Sequence, residues 1–210
     1  MAARLAENED AFGFKINLDY FLSRGMYHLN PAMGRFLTLH NREIFADLKM
    51  WNGSRTMAAV VHELVELEVD YISVYALADQ LLHDAIQITK GTRTKILGVT
   101  VLTHVNDAYC QKHFRRSLAE SVRHFAEVAI DAGCHGIILP GTTLASVQDI
   151  DTIKVVPGVR PKWYRDTRHE EEIEPRVAVE NGADILVCGS PIMKDLDPEQ
   201  ALRRVLAEIG

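Results

Sequence analysis

The chain has 210 residues, 47% of them hydrophobic and 25% charged, with a formal net charge of −6; this is the balance of one soluble globular domain spanning 1–210. No lysine or arginine block marks a nucleic-acid face, no apolar run approaches the ~20 residues of a membrane span, and the first ten residues lack a signal peptide's apolar core. Cys110, Cys134 and Cys188 are widely spaced, without CxxC or Cys/His pairing, and read as reduced thiols of a cytoplasmic protein rather than a zinc site or disulfide frame.

Strand-like runs alternate with amphipathic stretches along the chain. Phe14 to Leu18 reads as a strand, followed by a helix near Asp19 to Gly25. Glu43 to Lys49 is a second strand and leads through Asn52-Gly53-Ser54 into a helix over Thr56–Glu68, with Val60, Val61, Leu64, Val65 and Leu67 at helical spacing. Tyr71 to Val74 is a third strand, before a helix over Asp79–Thr89. Ile96 to Leu102 is an almost unbroken apolar run suited to burial on both faces. A long helix from Ser117 to Ala132 is expected to stop at Gly133. Short strands follow at Gly136–Leu139 and Thr152–Val156, ending at Pro140-Gly141 and Pro157-Gly158. A helix over Pro175–Asn181, a strand over Ile185–Cys188 and a helix over Asp197–Ile209 complete the pattern.

Seven strand candidates separated by helices imply parallel βαβ units. No GxGxxG or GxxxxGK[ST] follows the first strand, which argues against a nucleotide-binding doubly wound sheet. Polar residues and glycines instead collect after the strands, at Asp47/Lys49, Thr103/His104, Pro140-Gly141, Pro157-Gly158 and Gly189-Ser190. That is the habit of a (β/α)8 TIM barrel, whose sites lie at the C-terminal strand ends. The eighth strand would precede Lys15, where Met1–Asp10 reads as helix; the first strand is therefore expected to be missing from this chain, by truncation or a misplaced start.

Asp47 and Lys49 stand two apart at the end of a strand, so their side chains are expected on one side. In a barrel mouth, opposite charges held away from water are costly unless something charged is handled there. The plainer alternative is a solvated Asp–Lys pair beyond a strand. Lys15, ending another strand-like run, favours the mouth, although a plain strand-end lysine is the competing reading.

Several fragments, in order, resemble the orotidine 5′-phosphate decarboxylase family, within its superfamily of sugar-phosphate decarboxylases and aldolases. Phe14 to Gly25 is similar to the family's "VKIG…LF…EG" segment, and Phe45-Ala46-Asp47-Leu48-Lys49 resembles "FLDLK". Val99 to Thr103, Pro157 to Pro161 and Gly182 to Val187 resemble "VTVLTS", "PGIRP" and "GADYLVVGRPI". The resemblance implies a barrel of the ribulose-phosphate-binding type, working without metal or organic cofactor as a homodimer with shared sites, on a phosphorylated nucleotide. It assigns Lys15, Asp47 and Lys49 to decarboxylation at C6 of a pyrimidine. Lys49 would stabilise and then protonate the carbanion, Asp47 would sit near the departing carboxylate, and Lys15 would balance charge and contact the ribose. Thr56, Thr103, His104, Pro157, Gly158, Arg160, Gly189 and Ser190 are implied as substrate-binding positions.

The motif of the family is DxKxxD, and its last Asp is Asn52 here, which hydrogen-bonds without charge. Thr56 keeps the threonine that follows. Ser190 stands where the family places a phosphate-gripping Arg; backbone N–H groups of Gly158 and Gly189 with the Ser190 hydroxyl would cradle the phosphate, with charge from Arg160, Arg165 or Arg168. Tyr75 replaces a frequent His, and His104 replaces a pyrimidine-contacting Ser. Three readings stay open: an orotidine 5′-phosphate decarboxylase, a decarboxylase or aldolase for another phosphorylated or pyrimidine-like substrate, and a non-catalytic nucleotide-binding barrel. His104 reads as a pocket base or a surface histidine, Ser54 as a helix cap, and Glu170 to Glu172 as a solvated run. Trp51 and Trp163-Tyr164 are loop residues placed to cover a ligand or a subunit contact.

Overall fold

The computed structural model describes Leu5 and residues 12–24, 42–165 and 171–210. Arg168, Glu170 and, apart from Leu5, the segment Met1–Asp10 lie outside the described residues. Among the described residues, seven parallel strands pair in strict chain order. They are β1 (Phe14–Asn17), β2 (Ile44–Met50), β3 (Tyr71–Tyr75), β4 (Lys95–Val99), β5 (Gly136–Ile138), β6 (Ile153–Pro157) and β7 (Ile185–Val187). The helices α1 (Leu18–Arg24), α2 (Ser54–Glu66), α3 (His83–Thr89), α4 (Asp107–Phe114), α5 (Leu118–Asp131), α6 (Pro175–Glu180), α7 (Ser190–Met193) and α8 (Pro198–Ile209) fall between and after them. The sheet curls into a nearly closed barrel with β1 and β7 at its two edges. One apolar cluster draws those edges together: Phe14 of β1 and Cys188 beyond β7 pack with the buried Leu5, Ile192, Leu202 and Val205.

The alternation of side chains across each strand builds two cores. Phe45, Tyr71, Leu97, Val99, Ile138 and Val155 fill the barrel interior. Their neighbours in sequence, among them Ala46, Ile72, Val74, Ile96, Ile137 and Val156, face outward into the layer shared with the helices. In α2 the buried Met57, Val61 and Leu64 recur at the helical period. In α5 a reciprocal cap fixes the start. The Glu120 N–H donates to Ser117 Oγ at 3.2 Å, and the Ser117 N–H donates to Glu120 Oε2 at 2.8 Å. Gly98 on β4 is where α5 comes closest: a Cβ there would stand 2.5 Å from that of Ala129.

Four local expectations are corrected. The helix over Asp79–Thr89 is a 3-10 segment, Ala76–Leu82, followed by α3, because Asp79 leaves helical geometry with φ 44. The strand expected over Ile96–Leu102 is Lys95–Val99; Thr100 follows it, with both its N–H and its hydroxyl donating to the Ile138 carbonyl, at 3.0 and 2.9 Å. Helix α4 is additional, opened by Asn106, whose Oδ1 accepts the Tyr109 N–H at 3.1 Å. The cap of α2 is Gly53 rather than Ser54, and no side chain caps it.

Candidate active site

Lys15, Asp47 and Lys49 meet at the mouth of the barrel. On β1 and β2, Lys15 pairs with Phe45 and Asn17 with Asp47. Outward residues flank them, so Lys15 and Asp47 point inward, above the apolar interior. Asp47 Oδ2 accepts from Lys15 Nζ at 2.7 Å and from Lys49 Nζ at 2.6 Å. The Asp47 side chain is 7% exposed, against 23% for Lys15 and 35% for Lys49. The carboxylate is therefore sunk, and both ammonium groups rise toward the opening. Lys15 Nζ also donates to Asn17 Oδ1.

Burial alone would raise the Asp47 pKa, but the Lys15 and Lys49 charges and their hydrogen bonds outweigh it, leaving the carboxyl below its usual range. Asp47 is thus an anion at neutral pH, held between two cations. Its other oxygen accepts the Ser73 hydroxyl at 2.8 Å.

The i, i+2 reasoning joins Asp47 to Lys49 for an incomplete reason, because β2 is not regular there. Ala46 pairs with Ile72 and Met50 with Val74, so residues 47–49 stand opposite Ser73 alone. This bulge leaves two extra residues on β2, and Lys49 adopts φ 49, a left-handed conformation uncommon for a lysine. An even insertion preserves the alternation, so Leu48 and Met50 still face the outer core.

Tyr75 closes β3 on the inward-facing series of Tyr71 and Ser73. Burial, the Asp47 charge and Tyr109 together hold its phenol above the usual range, so it remains a neutral O–H donor. The Trp51 ring, 57% exposed, leans beside it with centroids 6.4 Å apart. The remaining predicted positions sit on the same rim, at the C-terminal ends of the strands. Asn52 and Thr56 are exposed at the start of α2. Thr103 is buried, and its carbonyl accepts the Glu171 N–H at 3.2 Å. His104 is exposed in the turn after β4.

Pro157 ends β6, and Gly158 follows with φ 76, the left-handed region that favours glycine. Gly189 is exposed and Ser190, half-buried, begins α7. Arg160 does not extend into the mouth as a free-standing cation. It is 6% exposed, Nη1 donates to the Val159 carbonyl at 3.0 Å, Nε faces Glu172 at 3.6 Å, and the guanidinium lies over Tyr164. Glu172 is accordingly a partner of Arg160 and not simply part of a solvated run. Trp163 packs with Ile192 and Leu202, and its indole N–H donates to Glu208 at 2.9 Å, so it is a framework residue. Among the described residues, no three His, Cys, Asp or Glu side chains gather to hold a metal ion, and no helix is long and apolar enough to cross a membrane.

Residues 1–205 match the model of the orotidine 5′-phosphate decarboxylase / HUMPS family. The chain belongs to that family. It is 29% identical to the orotidine 5′-phosphate decarboxylase of Paramagnetospirillum magneticum, over 94% of this chain and 87% of that relative. The enzyme of the same name from a Caulobacter species is 32% identical, over 96% of this chain and 87% of the relative. In three dimensions the fold superposes on the crystal structure of orotidine 5′-phosphate decarboxylase from Lactobacillus acidophilus with a TM-score of 0.74. That match has 25% identity and covers 93% of this chain and 86% of the other. The matched span takes in Lys15, Asp47 and Lys49.

Sequence reading did not single out Ser73 and Asn17. For Ser73 a signal existed: it lies between Tyr71 and Tyr75 on the inward series of β3, the one small polar side chain of that series.

Proposed function

We propose that the chain is a cofactor-free orotidine 5′-phosphate decarboxylase that makes uridine 5′-phosphate in pyrimidine biosynthesis. The observation that carries this reading is the Lys15–Asp47–Lys49 cluster, a buried carboxylate between two partly exposed ammonium groups at the strand-end rim. Loss of CO2 from C6 leaves an electron pair on a carbon with little resonance help. The Lys49 ammonium stands over that carbon, stabilises the developing negative charge and delivers its proton there. Asp47 holds Lys49 in place and lies beside the leaving carboxylate, whose charge it opposes in the ground state. Lys15 offsets that repulsion and contacts the ribose.

The phosphate is met by the backbone N–H groups of Gly158 and Gly189 and by the Ser190 hydroxyl, with Pro157 shaping the turn. Arg160 contributes by tying the loop after β6 to Glu172 and by the field of its buried charge. Thr103 and His104 line the pyrimidine side of the rim. The whole of 1–210 works as one barrel domain, acting in the cytoplasm as a homodimer in which Asn52 and Thr56 reach the neighbouring site. The exposure of Leu18, Trp51, Leu77, Leu81 and Tyr109 beside that rim supports the pairing.

The test is direct. Purified protein is mixed with orotidine 5′-phosphate and its absorbance followed; it should fall with wild type and stay constant with Lys49→Ala. Turnover by Lys49→Ala at the wild-type rate would defeat the assignment.

A further inference from the structure

Ser73 is completely buried in the middle of β3 and stands alone opposite the three residues 47–49 of the β2 bulge. Its hydroxyl makes two contacts there. Oγ accepts the backbone N–H of Lys49 at 2.8 Å and donates its proton to Asp47 Oδ1 at 2.8 Å. The two partners impose opposite demands, since a backbone N–H only donates and an ionised carboxylate only accepts. A hydroxyl, with one proton and two lone pairs, meets both from a single atom. No methyl group can meet either.

Those contacts fall on the point where the site departs from regular strand geometry. Lys49 sits at φ 49, and such a conformation in a non-glycine residue persists only where its surroundings determine it. Fixing the Lys49 N–H fixes where its side chain leaves the backbone. Fixing Asp47 Oδ1 turns the other oxygen, Oδ2, toward Lys15 and Lys49.

We infer that Ser73 is the positioning residue of this site, its hydroxyl locking the β2 bulge so that Lys49 and Asp47 face each other in register with the substrate. The inference rests on the proposed decarboxylase reading and deepens it. Ser73 is buried beneath the ions, so its effect is on transition-state geometry and not on substrate affinity.

The experiment compares wild type with Ser73→Ala, Ser73→Cys and Ser73→Thr, in steady-state decarboxylation of orotidine 5′-phosphate and in thermal melting. Ser73→Ala is expected to lower kcat about 10- to 100-fold while KM moves by less than about threefold. Ser73→Cys keeps the volume with a much weaker donor and acceptor, and serves if the alanine variant does not fold; it should slow in the same way. Ser73→Thr retains the hydroxyl and should recover most of the rate. A kcat within about twofold of wild type in a folded Ala or Cys variant would overturn the inference, as would a loss residing in KM. So would a threonine variant that melts like wild type yet is as slow as alanine. An NMR titration of 13C-labelled aspartate separates this from the functional reading. If wild type shows no turnover, the decarboxylase assignment fails, but the Asp47 titration should still move upward in Ser73→Ala; an unmoved titration refutes the role of Ser73.

Discussion

Replacing Asp47 by asparagine keeps the side chain's size and removes the one negative charge between two lysines. Both ammonium nitrogens touch the same oxygen, at 2.7 and 2.6 Å, so they lie no more than about 5.3 Å apart. At an effective dielectric of ~20, two like charges at that separation repel by about 3 kcal/mol. In the wild type the carboxylate more than offsets this; in the variant the neutral amide does not. Removing one partner of a buried pair typically costs ~3–5 kcal/mol. Exposure of Lys15 and Lys49 lets water take up part of the difference, which brings the expectation to about 2–4 kcal/mol. For a chain of this size that corresponds to a fall in Tm of roughly 5–15 °C.

The pH dependence carries the sign. The folded pKa of Asp47 lies below its usual value. Its stabilisation is therefore complete above the unfolded carboxyl pKa of about 3.9 and is lost as pH falls through the folded value. Urea or thermal unfolding of both proteins from pH 7 downward should show the gap narrowing only at the acid end. A variant as stable as wild type at pH 7 would refute the reasoning. A gap of constant size on acidification would do so too.

Two further substitutions probe different layers. Asn52→Asp restores the family's second acidic residue on the exposed rim; turnover of orotidine 5′-phosphate is expected to rise by up to about 100-fold, the scale of one charge-assisted contact, and no change would mean that the residue does not reach the substrate or its lysines. Gly98→Ala would push a methyl carbon to 2.5 Å from Ala129 Cβ, so denaturant unfolding should report a loss of about 1–3 kcal/mol; an unchanged midpoint would show that α5 shifts freely against β4.

Much of this architecture was legible because it follows from periodicity. The alternation of strands and helices and the end of the long helix at Gly133 are visible in the order of residues alone. Lys15 joined Asp47 and Lys49 through the resemblance and through its place at a strand end. What stayed hidden depends on pairing between strands. The β2 bulge is a mismatch between residues 47–49 and Ser73, and neither strand announces it separately. Arg160 looked like a ligand-gripping cation, but its environment is set by Glu172 and Tyr164, whose approach no local pattern encodes. The division of 76–89 into two segments turns on a single backbone angle at Asp79, within a run whose apolar spacing suits an uninterrupted helix.

The reactive ions occupy one storey, resting on a greasy plug of Phe45, Tyr71, Leu97, Val99, Ile138 and Val155. That plug is almost wholly apolar, so the ammonium groups find their polar partners at their own level, Lys15 on Asn17 and both lysines on Asp47. Asn52 and Ser190, two of the positions where the chain differs from the motifs it resembles, both lie in the upper storey, while the apolar storey beneath holds the strands together.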